Sequence, residues 1–195
     1  MILFPSGIVI TDTENKSLLH TVSDVEAWVL ATIAEKATSR RDALIEEWRP
    51  RLYADERITE LPADADALAT LILAKRRYRT RGQKDAAADP VVPVSWANRD
   101  KYRARTRGGR LITLFPGGLE VPDLSARCIL AYVQNLEEWV IGALLGMINR
   151  SRKRLLAQYQ PIIMNDPAVT HTPANEAALI SLIVARDDYQ ESINH

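Results

Sequence analysis

The chain has 195 residues, 47% hydrophobic and 26% charged, with 25 basic residues balanced by 25 acidic ones. This composition excludes a disordered chain and gives no global signature of nucleic-acid binding. A single cysteine, Cys128, excludes an internal disulfide and fits a reducing compartment.

The N-terminus, Met1 to Pro5, has no basic region and no long apolar run, so no secretory signal is expected. Ile2-Leu3-Phe4, Pro5-Ser6-Gly7 and Ile8-Val9-Ile10 read as two short strands around a tight turn. A two-stranded ribbon is marginal alone, so it should pair with a second ribbon or another chain. A long helix follows, with Val25, Trp28, Val29, Ile33, Ala37, Leu44, Ile45, Trp48 and Leu52 at helical spacing. Ser23 or Asp24 suits its N-cap. It should run from about residue 23 to 49, near Pro50, or break near Thr38-Ser39. After a loop holding Asp55 and Pro62, a shorter helix is predicted from about Asp64 to Arg77, capped by Asp64. Residues 85–111 then read as a partly extended connector: Ala86-Ala87-Ala88, Pro90 and Pro93, and a basic run. Val91 to Trp96 could dock on a lobe.

The remaining elements repeat the first set. Shifting any position from 1–84 by 111 reaches its counterpart in 112–195 without a gap, and 23 of the 84 pairs are identical. Leu3-Phe4-Pro5 falls on Leu114-Phe115-Pro116, Gly7 on Gly118, Trp28-Val29 on Trp139-Val140, Pro50 on Pro161, Asp55 on Asp166 and Tyr78 on Tyr189. A period this long is not that of a solenoid. It predicts a mainly α fold with small β-ribbons, a tandem duplication of an ~84-residue unit. The lobes would be 1–84 and 112–195, joined by the connector 85–111. The second long helix should run from Asn135 towards Tyr159, and Asn175 should cap the second short one.

The copies differ in two ways. Between Trp139 and Ile148 the second long helix is apolar nearly all round, whereas its counterpart carries Thr32, Glu35 and Lys36. The helix is either buried at the centre of the molecule or part of a subunit interface at Trp139, Gly142, Leu145 and Gly146. The stretch is about half a membrane span, so no membrane is implied. Charge is the second difference. Lys75 to Arg110 holds twelve basic residues, opposed only by Asp85, Asp89 and Asp100. Asp187, Asp188 and Glu191 stand where the first copy has Arg76, Arg77 and Thr80. Three readings stay open: a solvated surface, contact between the basic end of one subunit and the acidic end of the next, or phosphate contact. The last would use Arg99, Lys101, Arg103, Arg105, Arg107 and Arg110, with Trp96 and Tyr102 for stacking.

Chemistry is nearly absent. The sequence contains none of the nucleophile-elbow, phosphate-loop, zinc-protease or dinucleotide motifs. His20, His171 and His195 lack ligand spacing. Cys128 reads as a buried apolar residue. Glu26 and Arg41 would lie about 22 Å apart on one straight helix, too far to pair. Asp55 reads as a cap on a turn. No enzyme, cofactor, metal or small-molecule substrate is expected.

Glu47-Trp48-Arg49-Pro50-Arg51-Leu52, Leu61-Pro62-Ala63-Asp64 and Leu71-Ile72, with their echo between Tyr159 and Ile183, resemble small structural proteins of tailed bacteriophages. The resemblance implies a role in a virion or its assembly and carries over no site residues. The expected protein is therefore a non-enzymatic structural or adaptor component, such as a tail, neck or connector part. It would be cytoplasmic when made, and its partners would be copies of itself and other structural proteins. The alternative is a nucleic-acid-binding protein using the basic connector.

Overall fold

The computed structural model describes residues 1–88 and 110–189. They are mainly helical, with two small antiparallel sheets. In chain order the elements are β1 (Ile2–Leu3), β2 (Ile8–Thr11), α1 (Asp12–Leu19), α2 (Val25–Tyr53), α3 (Ala65–Ala74), α4 (Arg81–Ala88), β3 (Leu111–Leu114), β4 (Leu119–Glu120), α5 (Asp123–Leu130), α6 (Leu136–Met164) and α7 (Glu176–Val184). No described helix is long and apolar enough to cross a membrane.

Local chemistry explains most boundaries. Thr11 and Glu14 form a reciprocal capping box at the start of α1. Neither α1 nor α5 is among the elements expected from the sequence, although T-x-x-E at residues 11–14 is a helix-start signal. Asp24 caps α2 by accepting from the Ala27 N–H at 2.9 Å, and Asn135 caps α6 by accepting from Glu138. Asp64 and Asn175 cap the short helices, as their types predict. Both long helices continue past the proline expected to end them. Pro50 lies inside α2 and Pro161 inside α6, and neither helix breaks midway. Each proline removes one intrahelical hydrogen bond close to the C-terminus. Leu52 and Ile163, just beyond, are buried, and this holds the last turn in place. Ala86-Ala87-Ala88 are not linker but the end of α4, which Thr80 and Gln83 start with a second capping box.

The strands form where expected, but their partners differ from the predicted hairpins. β1 pairs with β4, and β2 with β3. In both ladders the numbers of paired residues add to 122. Met1 with Val121, and Asp12 with Arg110, extend the two ladders by one step each. Between the strands the backbone enters the left-handed region at Phe4 (φ 50°) and Gly7 (φ 74°), and again at Phe115 (φ 52°) and Gly118 (φ 83°). This turn bends the chain without hydrogen-bonding β1 to β2. The left-handed state costs a phenylalanine about 1–2 kcal/mol. Burial of each ring, of the order of 2 kcal/mol, offsets it. The Phe4 N–H donates to Glu137 Oε1 at 2.9 Å, so the first turn of α6 also holds this strained residue.

The described residues fall into two compact units, and neither is a continuous stretch of chain. The first comprises residues 1–5, 29–88 and 118–140. Its core packs Leu44, Ile45, Trp48 and Leu52 of α2 on Ala69, Ile72 and Leu73 of α3, with Cys128 of α5 and Ala131 just beyond it. The Arg127 guanidinium donates to the Leu73 carbonyl at the end of α3. The second unit comprises residues 6–28, 110–117 and 141–189. Its core packs Leu155, Tyr159 and Ile163 of α6 on Leu179, Ile180 and Ile183 of α7, and α1 contacts α7.

Candidate interaction surface

Within each unit the same joint is built from different residues. In the first, the Asp55 carboxylate accepts from Lys75 Nζ at 2.9 Å and from the Arg57 N–H at 3.2 Å. In the second, Asp166 accepts from Arg186 Nη1 at 2.6 Å and from the Ala168 N–H at 2.9 Å. The cation in each case holds the carboxyl below the usual carboxylate range, aided by the backbone donor. The joint ties the loop after the long helix to the turn after the short one. A second tie fastens the two helices: Arg41 to Asp66 in the first unit, Arg152 to Glu176 in the second. Asp66 and Asp42 raise the Arg41 guanidinium further above its ordinary value. Arg41 therefore meets a carboxylate on a neighbouring helix, not the distant Glu26.

An aromatic cluster is balanced across the units in the same way. In the first, Trp48 packs on Tyr78 with ring centroids 6.1 Å apart, beside Ala131. In the second, Tyr159 and Tyr189 pack 5.7 Å apart, and His20 lies 5.9 Å from each. A large ring with a small neighbour is replaced by a smaller ring with a larger neighbour. His20 is accounted for by this packing.

The turns after the short helices carry opposite charge. Arg76 and Arg77 are exposed after α3, and Asp187 and Asp188 are exposed after α7. Arg79 turns its guanidinium onto the carbonyls of Arg76 and Tyr78, and Arg81 pairs with Asp85. Asp188 pairs with Arg186, which lowers the affinity of its carboxyl for a proton. Of the basic connector residues, Arg99, Lys101, Arg103, Arg105 and Arg107 lie outside the described residues, as do Val91 to Trp96 and Tyr102. Arg110 is exposed, and its carbonyl accepts from the Asp12 N–H.

The apolar stretch of α6 is not buried all round. Val140, Leu144 and Ile148 are buried, Trp139, Leu145, Gly146 and Met147 are half-buried, and Gly142 is exposed. A methyl group at Gly142 would meet nothing within 4 Å, and at Gly146 only an arginine tip, Arg150 Nη1 at 3.5 Å. The close helix approach that these glycines permit is thus not used among the described residues.

Cys128 is buried, and burial pushes its thiol up, away from the reactive thiolate. It lines an open cleft of about 150 Å³ with Ser125, Arg41 and Asp66, whose charges already satisfy each other. Burial also pushes the Tyr78 hydroxyl up to about 12. No group of three potential metal ligands occurs among the described residues. No family model matches the chain, and no curated protein or solved structure matches it.

Proposed function

We propose that this chain is a non-enzymatic structural or adaptor protein that oligomerises or docks in a larger assembly, built as a tandem duplication of an ~84-residue unit. The observation that carries the reading is the opposite charge of the two equivalent turns, Arg76-Arg77 in one unit and Asp187-Asp188 in the other. Two copies of one surface with opposite charge favour a head-to-tail order, in which one subunit's basic turn meets the next one's acidic turn. The incompletely covered apolar stretch of α6, with Trp139, Gly142, Leu145 and Gly146, offers a second contact. Supporting the duplication, elements recur 111 residues apart with matching bounds, such as Asp12–Leu19 with Asp123–Leu130 and Val25–Tyr53 with Leu136–Met164. The resemblance noted above favours a bacteriophage virion component, of the tail, neck or connector, as the setting.

The test is the native mass of the purified protein at low and high salt, for the natural chain and for Arg76→Asp with Arg77→Asp. A discrete oligomer that dissociates in salt and in the variant supports head-to-tail contact. A monomer at every concentration and salt overturns self-association and leaves a larger partner to account for the surface.

A nucleic-acid reading is favoured by one observation of its own. Exposed Arg76, Arg77 and Lys84 precede the connector, and exposed Arg110 lies at its end. Replacing Arg103, Arg105 and Arg107 by glutamine should then weaken DNA or RNA binding and flatten its salt dependence. Binding that is insensitive to salt, or no binding, removes this reading.

A further inference from the structure

We propose that the two halves of this chain, residues 1–88 and 110–189, are separable partners, and that chains associate by exchanging halves with a second copy of themselves. This deepens the self-association reading and rests on it, because it adds to the charged turns a second surface through which copies meet.

The argument starts from which residues pair. Both strand ladders join one half to the other: Ile2 to Glu120 and Leu3 to Leu119 in one, Ile8 to Leu114 through Thr11 to Leu111 in the other. The helix contacts follow the same rule, with α3 on α5 and α1 on α7. In the first unit, the half ending at residue 88 supplies α2 and α3, and the other half supplies β4 and α5. In the second unit the roles reverse: the first half supplies β2 and α1, with α1 on α7, and the other half supplies most of α6 and α7. Each half therefore keeps its long-helix core but lacks the strand and the short helix that cover it. A half alone would leave a two- or four-residue strand with no ladder, and such a strand does not hold its shape in water.

Nothing in these pairings requires both halves to belong to one molecule. Adding 111 to Ile2 and subtracting it from Glu120 turns that pair into Thr113 with Val9, a pair of the other ladder. One recognition surface is thus presented twice per chain. Two chains can satisfy all four surfaces by pairing first half with second half reciprocally, which is a closed, two-chain arrangement. The only covalent tie between the halves is residues 89–109. It raises the effective concentration of the chain's own partner half. Intramolecular pairing therefore wins in dilute solution, and exchange wins during folding at high concentration or when the tie is too short. Twenty-one residues span at most roughly 75 Å, five at most about 18 Å.

The experiment uses the full chain with Cys128→Ser as background, so that the introduced cysteines are the only thiols. Val9→Cys is placed in one chain and Thr113→Cys in another; the two residues face each other in the ladder, within disulfide reach. The chains are mixed in equal amounts, either as folded proteins or unfolded and refolded together at about 100 µM, then oxidised. A third sample carries both substitutions in one chain. Exchange predicts a disulfide-linked dimer in the co-refolded sample, up to half of the chains, and none in the mixture of folded proteins. Deleting residues 91–106 should make the dimer the dominant product. The doubly substituted chain should cross-link internally when refolded dilute. The same arms run with Ile2→Cys and Glu120→Cys test the other ladder, should the first pair disturb folding.

Internal cross-linking of the doubly substituted chain, with no disulfide-linked dimer in the co-refolded or the shortened chains, overturns the proposal. A salt-sensitive native oligomer with no interchain disulfide would leave the assembly reading standing and remove exchange. A natural chain that is a monomer at every concentration, even after co-refolding, would overturn self-association and exchange together.

Discussion

Gly7→Ala should destabilise the chain far more than the same change at Gly117. Gly7 has φ 74°, and a Cβ there would lie 2.6 Å from the Leu114 carbonyl oxygen and 2.5 Å from Thr113 Cγ2. The left-handed backbone alone costs an alanine about 1–2 kcal/mol. Overlap with a backbone oxygen of the paired strand adds about 1–3 kcal/mol, because the ladder must shift to relieve it. The sum is about 2–5 kcal/mol, a large share of the ~5–15 kcal/mol typical of a domain. Gly118 is a graded comparison. It has φ 83°, but its closest contact is Ile2 Cγ2, a methyl that rotation of this exposed side chain about χ1 can move away, at 2.6 Å. Gly118→Ala should therefore cost about 1–2 kcal/mol, mostly backbone. Gly117 has no neighbour within 4 Å of a built Cβ, and its counterpart in the first half is Ser6. Gly117→Ala should be neutral or stabilising by up to about 1 kcal/mol. Urea unfolding followed by helical circular dichroism measures all three, with an unchanged slope expected. If Gly7→Ala falls within about 0.5 kcal/mol of Gly117→Ala, a margin set by ordinary surface substitutions, the crossed strand pairing is refuted.

Three further outcomes are expected. The carboxyls of Asp55 and Asp166 are lowered by Lys75 and Arg186, so their stabilisation is present above the unfolded carboxylate range near pH 4. It is lost as pH falls through the lower folded values; Asp55→Asn with Asp166→Asn should reduce stability at pH 7, cost progressively less as pH falls through those values, and flatten the acid limb of a melting-temperature profile. Cys128 should resist alkylation in the folded protein and react on unfolding. Cys128→Ser should cost less than about 1 kcal/mol, because its counterpart Ser17 is fully buried while donating to the carbonyl four residues back, at 2.8 Å. Fast alkylation of native protein would refute the buried placement. His20→Ala should cost about 1–2 kcal/mol by opening space beside Tyr159. Adding Tyr159→Trp should recover much of this by recreating the Trp48 and Ala131 arrangement, and a further loss in the double variant would refute the equivalence of the two clusters.

Much of the local structure was written in short stretches of sequence. Asp24, Asp64 and Asn175 are cap types directly before apolar helical periods, and each caps the helix that follows. Gly7 and Gly118 sit beside prolines in a turn pattern and do take positive φ. Asp55 and Asp166 do cap their turns, but their cations, Lys75 and Arg186, lie twenty residues away and were not legible. Helix α1 was legible through Thr11 and Glu14, while the β-branched run Ile8-Val9-Ile10 just before it signals only a strand. The charge opposition of the turns at Arg76-Arg77 and Asp187-Asp188 was visible directly, since exposure of charge needs no tertiary knowledge.

Strand partnership and the exchange of elements belong to the tertiary structure. A hairpin and a crossed ladder satisfy the same backbone groups with the same residues, so Ile2-Leu3 and Ile8 to Thr11 read alike in either. The choice turns on groups more than a hundred residues away: the Thr113 side chain and the Leu114 carbonyl fit against Gly7, and the Ile2 side chain and the Leu3 carbonyl against Gly118. Long stretches of chain also separate α1, which ends at Leu19, from α7, which starts at Glu176, and α3, which ends at Ala74, from α5, which starts at Asp123. Caps, turns and periodicities arise from interactions within a few residues and can be read along the chain. Which half covers which core is decided by apolar burial between distant segments, and that energy exists only once the chain has brought them together.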